Sequence, residues 1–299
     1  MFGSDEGWTM TRRARNGRGA FTLIELLVVI AIIALRLSLL LPALSKARLS
    51  GQGAVCMSNL RQIGISVNSY AQDFKDKVWP TFNTVNNQPP TGIASGDGCG
   101  WARLRDSSNF IVPGWLYQYC ESADKIGECP TNKRRKNTYI EGQNMFNTGT
   151  ALDFDYTFSA RVSGARLGLD TRFAYLSNPS QYTAGVIPPA VLPAGTAITN
   201  FPGAPVFIEE HTRWYNQDTA DGMWSNRDQV ETRHFGGGHI AYLQGHVGLF
   251  KPPHGPLYEL QENMDFDAND IYVRGSGNWT RMELGVNLHR PYGWINNPR

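Results

Sequence analysis

The pattern of hydrophobic and polar positions changes abruptly near the N-terminus. Residues 1–20 are polar and contain four arginine residues. An almost unbroken apolar run follows at residues 21–44, in which Glu25 and Arg36 are the two charged positions. As a helix at about 1.5 Å per residue, this run would extend roughly 36 Å, enough to cross a bilayer. It therefore predicts a transmembrane helix.

The residues that flank this helix predict its orientation in the membrane and whether it is cleaved off. Because the arginines precede the apolar run, the positive-inside rule keeps residues 1–20 in the cytoplasm and exports the C-terminal part. The run continues past Pro42 without the small-residue cleavage site of a secretory signal. An uncleaved signal anchor is an alternative, but it does not explain Glu25. A carboxylate within a membrane span costs about 2.5–3.5 kcal/mol on insertion scales.

A second helical pattern follows directly at residues 45–78. Apolar residues recur there at spacings of three and four, which is typical of one face of an amphipathic helix. These residues are Leu60, Ile63, Val67, Tyr70 and Phe74. We expect this face to pack against a globular domain and the helical region to end near Trp79-Pro80.

The remaining residues, 79–299, show short segments bounded by turn residues. Strands are predicted around Tyr156, Phe207 and Ile240, where apolar residues are flanked by Gly, Pro or Asn. Residues 186–205 contain five prolines and are predicted to form a long connection. The pattern predicts an α+β fold, with a long N-terminal helix packed on an antiparallel β-sheet that carries long loops.

Composition and cysteine content narrow the function classes. The net charge of +2 and the absence of a long basic stripe argue against nucleic-acid binding. The four cysteines form no CxxC motif, and in an exported domain they favour disulfides. The sequence does not choose among the three pairings of four cysteines. The shortest loop favours Cys120–Cys129. Cys56 lies in a predicted helix and is expected to remain a free, buried thiol.

The string from Ala20 to Ala34, Ala-Phe-Thr-Leu-Ile-Glu-Leu-Leu-Val-Val-Ile-Ala-Ile-Ile-Ala, resembles the cleavage and methylation signal of type IV pilins and type II secretion pseudopilins. The resemblance implies cleavage before Phe21 by a prepilin peptidase, N-methylation of Phe21, and retention of the apolar helix. Glu25 becomes the fifth mature residue, which matches the glutamate of the family. Pro42 matches its helix-kinking proline. The family usually has glycine at position 20.

The resemblance also gives Glu25 a role. A buried carboxylate is tolerable in hydrocarbon when a cation neutralises it. In a filament, the N-terminal amine of a neighbouring subunit at Phe21 would be that cation, since methylation keeps its charge. Arg36 departs from the aliphatic residue of the family, and it would either snorkel towards the head groups or pair with an acidic partner.

A second resemblance lies near the C-terminus. His234, nine further residues and then Gln244-Gly245 are similar to a processing-associated motif of pilin-like proteins, in which Asp-Gly follows the nine residues. Gln244 replaces the aspartate. The segment predicts a β-hairpin that turns at Gln244-Gly245.

Metal sites have weaker support in the sequence. His234, His239 and His246, with Glu209-Glu210-His211 nearby, are candidate ligands, although a polar hydrogen-bonded hairpin explains them as well. Oxygen ligands at alternate positions form a calcium candidate, but the glycine and distal glutamate of an EF-hand are missing. These calcium candidates are Asp265, Asp267 and Asn269.

No catalytic motif emerges from the sequence. The predicted function is therefore that of a non-enzymatic structural subunit of a type IV pilus or a type II secretion-like pseudopilus, in the inner membrane with its C-terminal domain in the periplasm. Its predicted partners are prepilin peptidase, other pilin-like subunits and membrane lipid. The alternative is a membrane-tethered periplasmic binding module that uses a pilin-type signal and does not polymerise.

Overall fold

The chain divides into two compact units, Met1–Arg48 and Leu49–Arg299. A computed structural model describes part of each unit. The described residues are 22–80, 101, 103–105, 111–121, 123–131, 155–159, 162–168, 171–177, 189–211, 223–224, 229–253, 266–274 and 277–282.

One long helix, α1, accounts for most of the first described segment, 22–80. It extends over Leu23–Asp73, continues through Pro42, and is long and apolar enough in its N-terminal part to cross a membrane. All described residues of the first unit, 22–48, are exposed. The apolar positions of this segment therefore have no partner among the residues that the structure describes.

The C-terminal part of α1 belongs to the second unit and is packed on one face. Leu60, Ile63, Val67 and Tyr70 are buried, as the spacing predicted. Phe74 is the exception because it lies just beyond the end of the helix and is 44% exposed. The helix ends earlier than the sequence pattern indicated. Lys75 and Asp76 both adopt positive φ, a left-handed conformation that stops an α-helix.

Among the described residues, three sheets and two short α-helices complete the second unit, so the predicted α+β fold with antiparallel strands is confirmed. The short helices are α2 (Trp115–Tyr119) and α3 (Ala123–Ile126). The strands are β1 (Arg103–Arg105), β2 (Ile111–Pro113), β3 (Tyr156–Ser159), β4 (Arg172–Leu176), β5 (Ile198–Asn200), β6 (Pro205–Glu209), β7 (Met223–Trp224), β8 (Gly238–Tyr242), β9 (Val247–Phe250), β10 (Ile271–Arg274) and β11 (Thr280–Arg281).

The five-stranded sheet has the order β7-β3-β6-β8-β9, and the four-stranded sheet has the order β11-β10-β4-β5. β1 and β2 form a separate pair. All pairings are antiparallel except β3 with β7, which is parallel. The core strands β3, β6 and β8 are buried along their whole length, including their polar residues Thr157, Ser159, Glu209 and His239.

The proline-rich connection is more structured than the sequence predicted. Within residues 186–205, the three proline-free residues of β5 pair with β4, and Pro205 begins β6. Leu192 and Phe201 on either side of β5 are buried. Proline content obscured this strand because the prolines stand outside it, where they do not remove a ladder hydrogen bond.

Candidate functional site

The predicted assembly residues lie in the N-terminal part of α1. Thr22 precedes the helix, and both its backbone N and its Oγ1 donate to Glu25 Oε2, at 2.8 and 2.7 Å. Glu25 N donates in return to Thr22 Oγ1 at 3.3 Å. This reciprocal arrangement is a capping box, which satisfies two backbone donors at the start of the helix. Glu25 therefore has a local role in addition to any intermolecular one.

The other predicted assembly and processing residues lie either in the exposed part of α1 or outside the described residues. Pro42 lies inside α1, and Arg36 is exposed among apolar side chains. Ala20 and Phe21, the predicted cleavage and methylation positions, lie outside the described residues.

A buried charged cluster lies in the second unit, centred on Glu209 at the end of β6. Its members are Asp155, Glu209, Glu231, Arg233, His234 and His239. Glu209 Oε1 accepts from His234 Nε2 at 2.9 Å, and Oε2 accepts from His239 Nδ1 and His239 N, both at 3.0 Å. The carboxylate is fully buried, yet both of its oxygens are hydrogen-bonded.

Arg233 supplies the positive charge of this cluster. Its guanidinium lies 3.1 Å from Glu231, 3.3 Å from Glu209 and 3.5 Å from Asp155. The 3.3 Å contact from Nε to Glu209 is an ion pair without hydrogen-bond alignment. Burial alone would raise the pKa of Glu209, but the hydrogen bonds from the two histidines and the charge of Arg233 outweigh it and lower that pKa to about 2.

A disulfide adjoins the cluster and joins α1 to the following domain. Cys56 and Cys129 are bonded, with their Cα atoms 5.3 Å apart. Cys129 Sγ lies 3.4 Å from His234 Nε2, and Cys129 N donates to Asp155 at 2.6 Å. The predicted pairing of Cys120 with Cys129 was therefore wrong, because short sequence separation does not decide which sulfurs meet in the fold. Cys120 is a free thiol, and Cys99 lies outside the described residues.

The glycine run before β8 allows the cluster to form. Residues 232–237 make a tight turn in which His234 and Gly237 exchange backbone hydrogen bonds of 3.0 and 3.1 Å. A Cβ on Gly238 would come within 2.6 Å of the Glu231 carbonyl oxygen. A larger residue would push this turn away from β8, so Gly238 helps to bring Glu231 and Arg233 towards Glu209.

The predicted hairpin at the C-terminal motif is observed in β8 and β9. Leu243, Gln244 and Gly245 form its loop, closed by a hydrogen bond from Tyr242 N to His246 O at 2.9 Å. Gly245 has a φ of 87°, as expected for the third position of a three-residue hairpin loop. The processing-associated role of the motif stays a prediction.

The three histidines of the motif do not share one site. His234 and His239 both contact Glu209, whereas His246 stacks on Tyr242 with the ring centroids 4.5 Å apart. The alternative of a polar, hydrogen-bonded arrangement thus describes the first two histidines.

The calcium candidates have local partners where they are described. Asp267 caps a 3-10 helix at Ala268–Asp270 and accepts from Asn269 N at 2.6 Å. Asp270 in turn accepts from Asp267 N at 3.0 Å. Asp265 lies outside the described residues. Calcium binding stays a prediction.

Sequence reasoning missed two features of these sites. The Thr22-x-x-Glu25 spacing before an apolar run is a capping-box signature that the sequence already contained. Asp155, Glu231 and Arg233 were not identified as site residues, because they come from separate segments that only the fold brings together.

Comparison with known protein families gives a match in the N-terminal part of the chain. Residues 15–41 match the family described as the prokaryotic N-terminal methylation motif. This match supports the predicted resemblance to type IV pilin-like precursors, and the apolar helix with this motif indicates membrane anchoring. No curated protein and no solved structure was found to match the chain.

Proposed function

We propose that the chain is a structural subunit of a type IV pilus or a type II secretion-like pseudopilus. The observation that carries this proposal is that the methylation motif at 15–41 coincides with the exposed apolar part of α1. After cleavage before Phe21, this segment anchors the subunit in the inner membrane. It then packs against the same segment of neighbouring subunits in a filament, with the second unit on the periplasmic side.

Glu25 sets the register of this packing. Its carboxylate lies close to the new N-terminus and pairs with the amine of a neighbouring Phe21, much as one buried polar residue fixes register in a coiled coil. The capping box does not prevent this pairing, because Thr22 bonds only one of the two carboxylate oxygens. Oε1 is left for a second partner, and a carboxylate oxygen accepts more than one hydrogen bond.

Processing is tested by intact-mass and N-terminal analysis of the protein extracted from membranes of its own host. The expected chain begins at Phe21 and carries one additional methyl group, about 14 Da. A chain that still begins at Met1 would contradict processing and favour a plain signal-anchored periplasmic module.

Assembly is tested with three variants that separate the charge of Glu25 from its capping role. Glu25→Ala removes both, Glu25→Gln keeps a capping side chain without the charge, and Thr22→Ala removes the cap partner but keeps the charge. We expect the two Glu25 variants to insert into the membrane but to be lost from sheared filament fractions, and Thr22→Ala to assemble. Normal assembly of Glu25→Gln would contradict the register role. Absence of filaments from the parent chain itself would instead support the non-polymerising alternative.

A further inference from the structure

Four buried side chains around the disulfide carry donor atoms suited to a thiophilic cation. The sulfurs of Cys56 and Cys129, a carboxylate oxygen of Glu209 and an imidazole nitrogen of His234 all lie within 4.8 Å of one another. Donor atoms around a tetrahedral zinc ion are separated by about 3.3–3.8 Å, given bonds of about 2.0–2.3 Å. Two observed distances, 2.9 Å from His234 to Glu209 and 3.4 Å from His234 to Cys129, are already close to this range. The two sulfurs are bonded to each other and would have to move apart on reduction to reach it.

The residues around these donors would hold them for a metal. His239 occupies only Oε2 of Glu209, through its ring and its backbone N, and so orients the other oxygen towards the sulfurs. Such a hydrogen bond to the free oxygen of a ligating carboxylate is typical of metal sites. In the disulfide form, Nδ1 of His234 has no hydrogen-bond partner among the described residues, so it is available to carry the proton when Nε2 binds a metal.

Exchange of the disulfide for a metal leaves the charge of the cluster unchanged. A disulfide is neutral, and a divalent cation with two thiolates is also formally neutral. Arg233 is opposed by Asp155, Glu209 and Glu231, so the surroundings favour a cation over an anion. A buried site can therefore change from one form to the other without burying a new net charge.

We infer that Cys56, Cys129, Glu209 and His234 form a redox-switched site that binds Zn²⁺ when the disulfide is reduced. A phosphine reductant cleaves the S–S bond with one water molecule, giving two thiols and the phosphine oxide. Zn²⁺ then displaces the two thiol protons to solvent, and the His234 proton moves from Nε2 to Nδ1. The ion replaces the covalent link between α1 and the Cys129 segment.

The test uses the full chain in detergent, reduced by a phosphine that is then removed under inert gas. Co²⁺ is added as the probe, since tetrahedral cobalt–thiolate sites give intense visible and near-ultraviolet bands. We expect one equivalent of Co²⁺ per chain, bleaching on addition of Zn²⁺, and no binding by the oxidised chain. The double variant Cys99→Ser/Cys120→Ser is the matched control and should bind as the parent does.

Two outcomes would overturn the inference. The first is a cobalt spectrum that survives Cys129→Ser but disappears in the control variant, which would place the metal on the other two cysteines. The second is a fully reduced chain that gives no spectrum, whether it stays folded or unfolds. Because binding to a native site stabilises the folded state, a genuine site would refold the reduced chain when the metal is added.

Discussion

The two units of this chain invert the usual relation between polarity and burial. In residues 22–48 the structure exposes a run of leucine, isoleucine and valine, whereas the second unit holds the Glu209 cluster, in which three carboxylates and two histidines are buried around a largely buried Arg233. The exposed apolar surface has no described partner, so it suits a surrounding of lipid or other apolar helices. The buried charges are satisfied by one another. The first unit therefore depends on its surroundings for partners, whereas the charged groups of the second unit are partners for one another.

The largest effect is expected from removing the centre of the buried charges. Glu209→Ala leaves His234, His239 and Arg233 without their shared acceptor, which should lower the free energy of unfolding by about 3–5 kcal/mol. Urea unfolding of the full chain in detergent, followed by fluorescence of the buried tryptophans, measures this loss. Glu121→Ala, at an exposed glutamate, should change it by less than about 0.5 kcal/mol. Equal effects of the two variants would mean that the cluster is not a stabilising unit.

Two leucines of α1 give a direct test of the contrast between the units. Leu60 is fully buried and Leu40 is 61% exposed, on the same helix. Leu60→Ala should cost about 3 kcal/mol in the same unfolding measurement, because it leaves a cavity. Leu40→Ala should leave the transition of the second unit within about 0.5 kcal/mol of the parent value. A large effect of Leu40→Ala would show that the first unit contributes to the stability of the second.

The free energy of unfolding should fall at acid pH because Glu209 becomes protonated. Its pKa is lowered from 4.5 to about 2 in the folded chain, so the stability that it contributes is complete above about pH 4.5 and is lost as pH falls towards about 2. The loss should be roughly 2–3 kcal/mol. Glu209→Gln should flatten this part of the pH profile. An unchanged profile in that variant would assign the acid sensitivity to other carboxylates.

The smallest effect is expected at the hairpin turn, away from both the exposed apolar segment and the buried charged cluster. Gly245→Ala places a side chain at a φ of 87° and should cost about 1 kcal/mol. Gly248→Ala, in β9, is the matched control, because its φ is not in the left-handed region and its added Cβ would be no closer than 4.0 Å to Tyr242. The same measurement separates them, and a larger loss at Gly248 would contradict the geometry of the turn.

Local patterns were enough to predict the elements whose signals lie within one segment. The apolar run of α1, the buried stripe from Leu60 to Tyr70, and the hairpin with Gly245 each follow from spacing and turn chemistry. The disulfide and the Glu209 cluster could not be predicted from spacing or turn chemistry. Cys56 and Cys129 are separated by 73 positions, and Asp155 and Arg233 come from different segments. The packing of the C-terminal part of α1 brings the two cysteines together, and the pairing of β3, β6 and β8 brings the charged residues together. Single-sequence patterns encode neither of these long-range contacts.

The disulfide has a mechanical consequence. It attaches position 56 of α1 to a segment 73 positions later, within the second unit. A force that pulls on this part of the helix reaches the sheet through a covalent bond as well as through side-chain packing. Peeling the helix away would require bond rupture or reduction, so tension is shared between the two elements. The attachment is thus a covalent crosslink under mechanical load, and the redox state of its surroundings decides whether it is present.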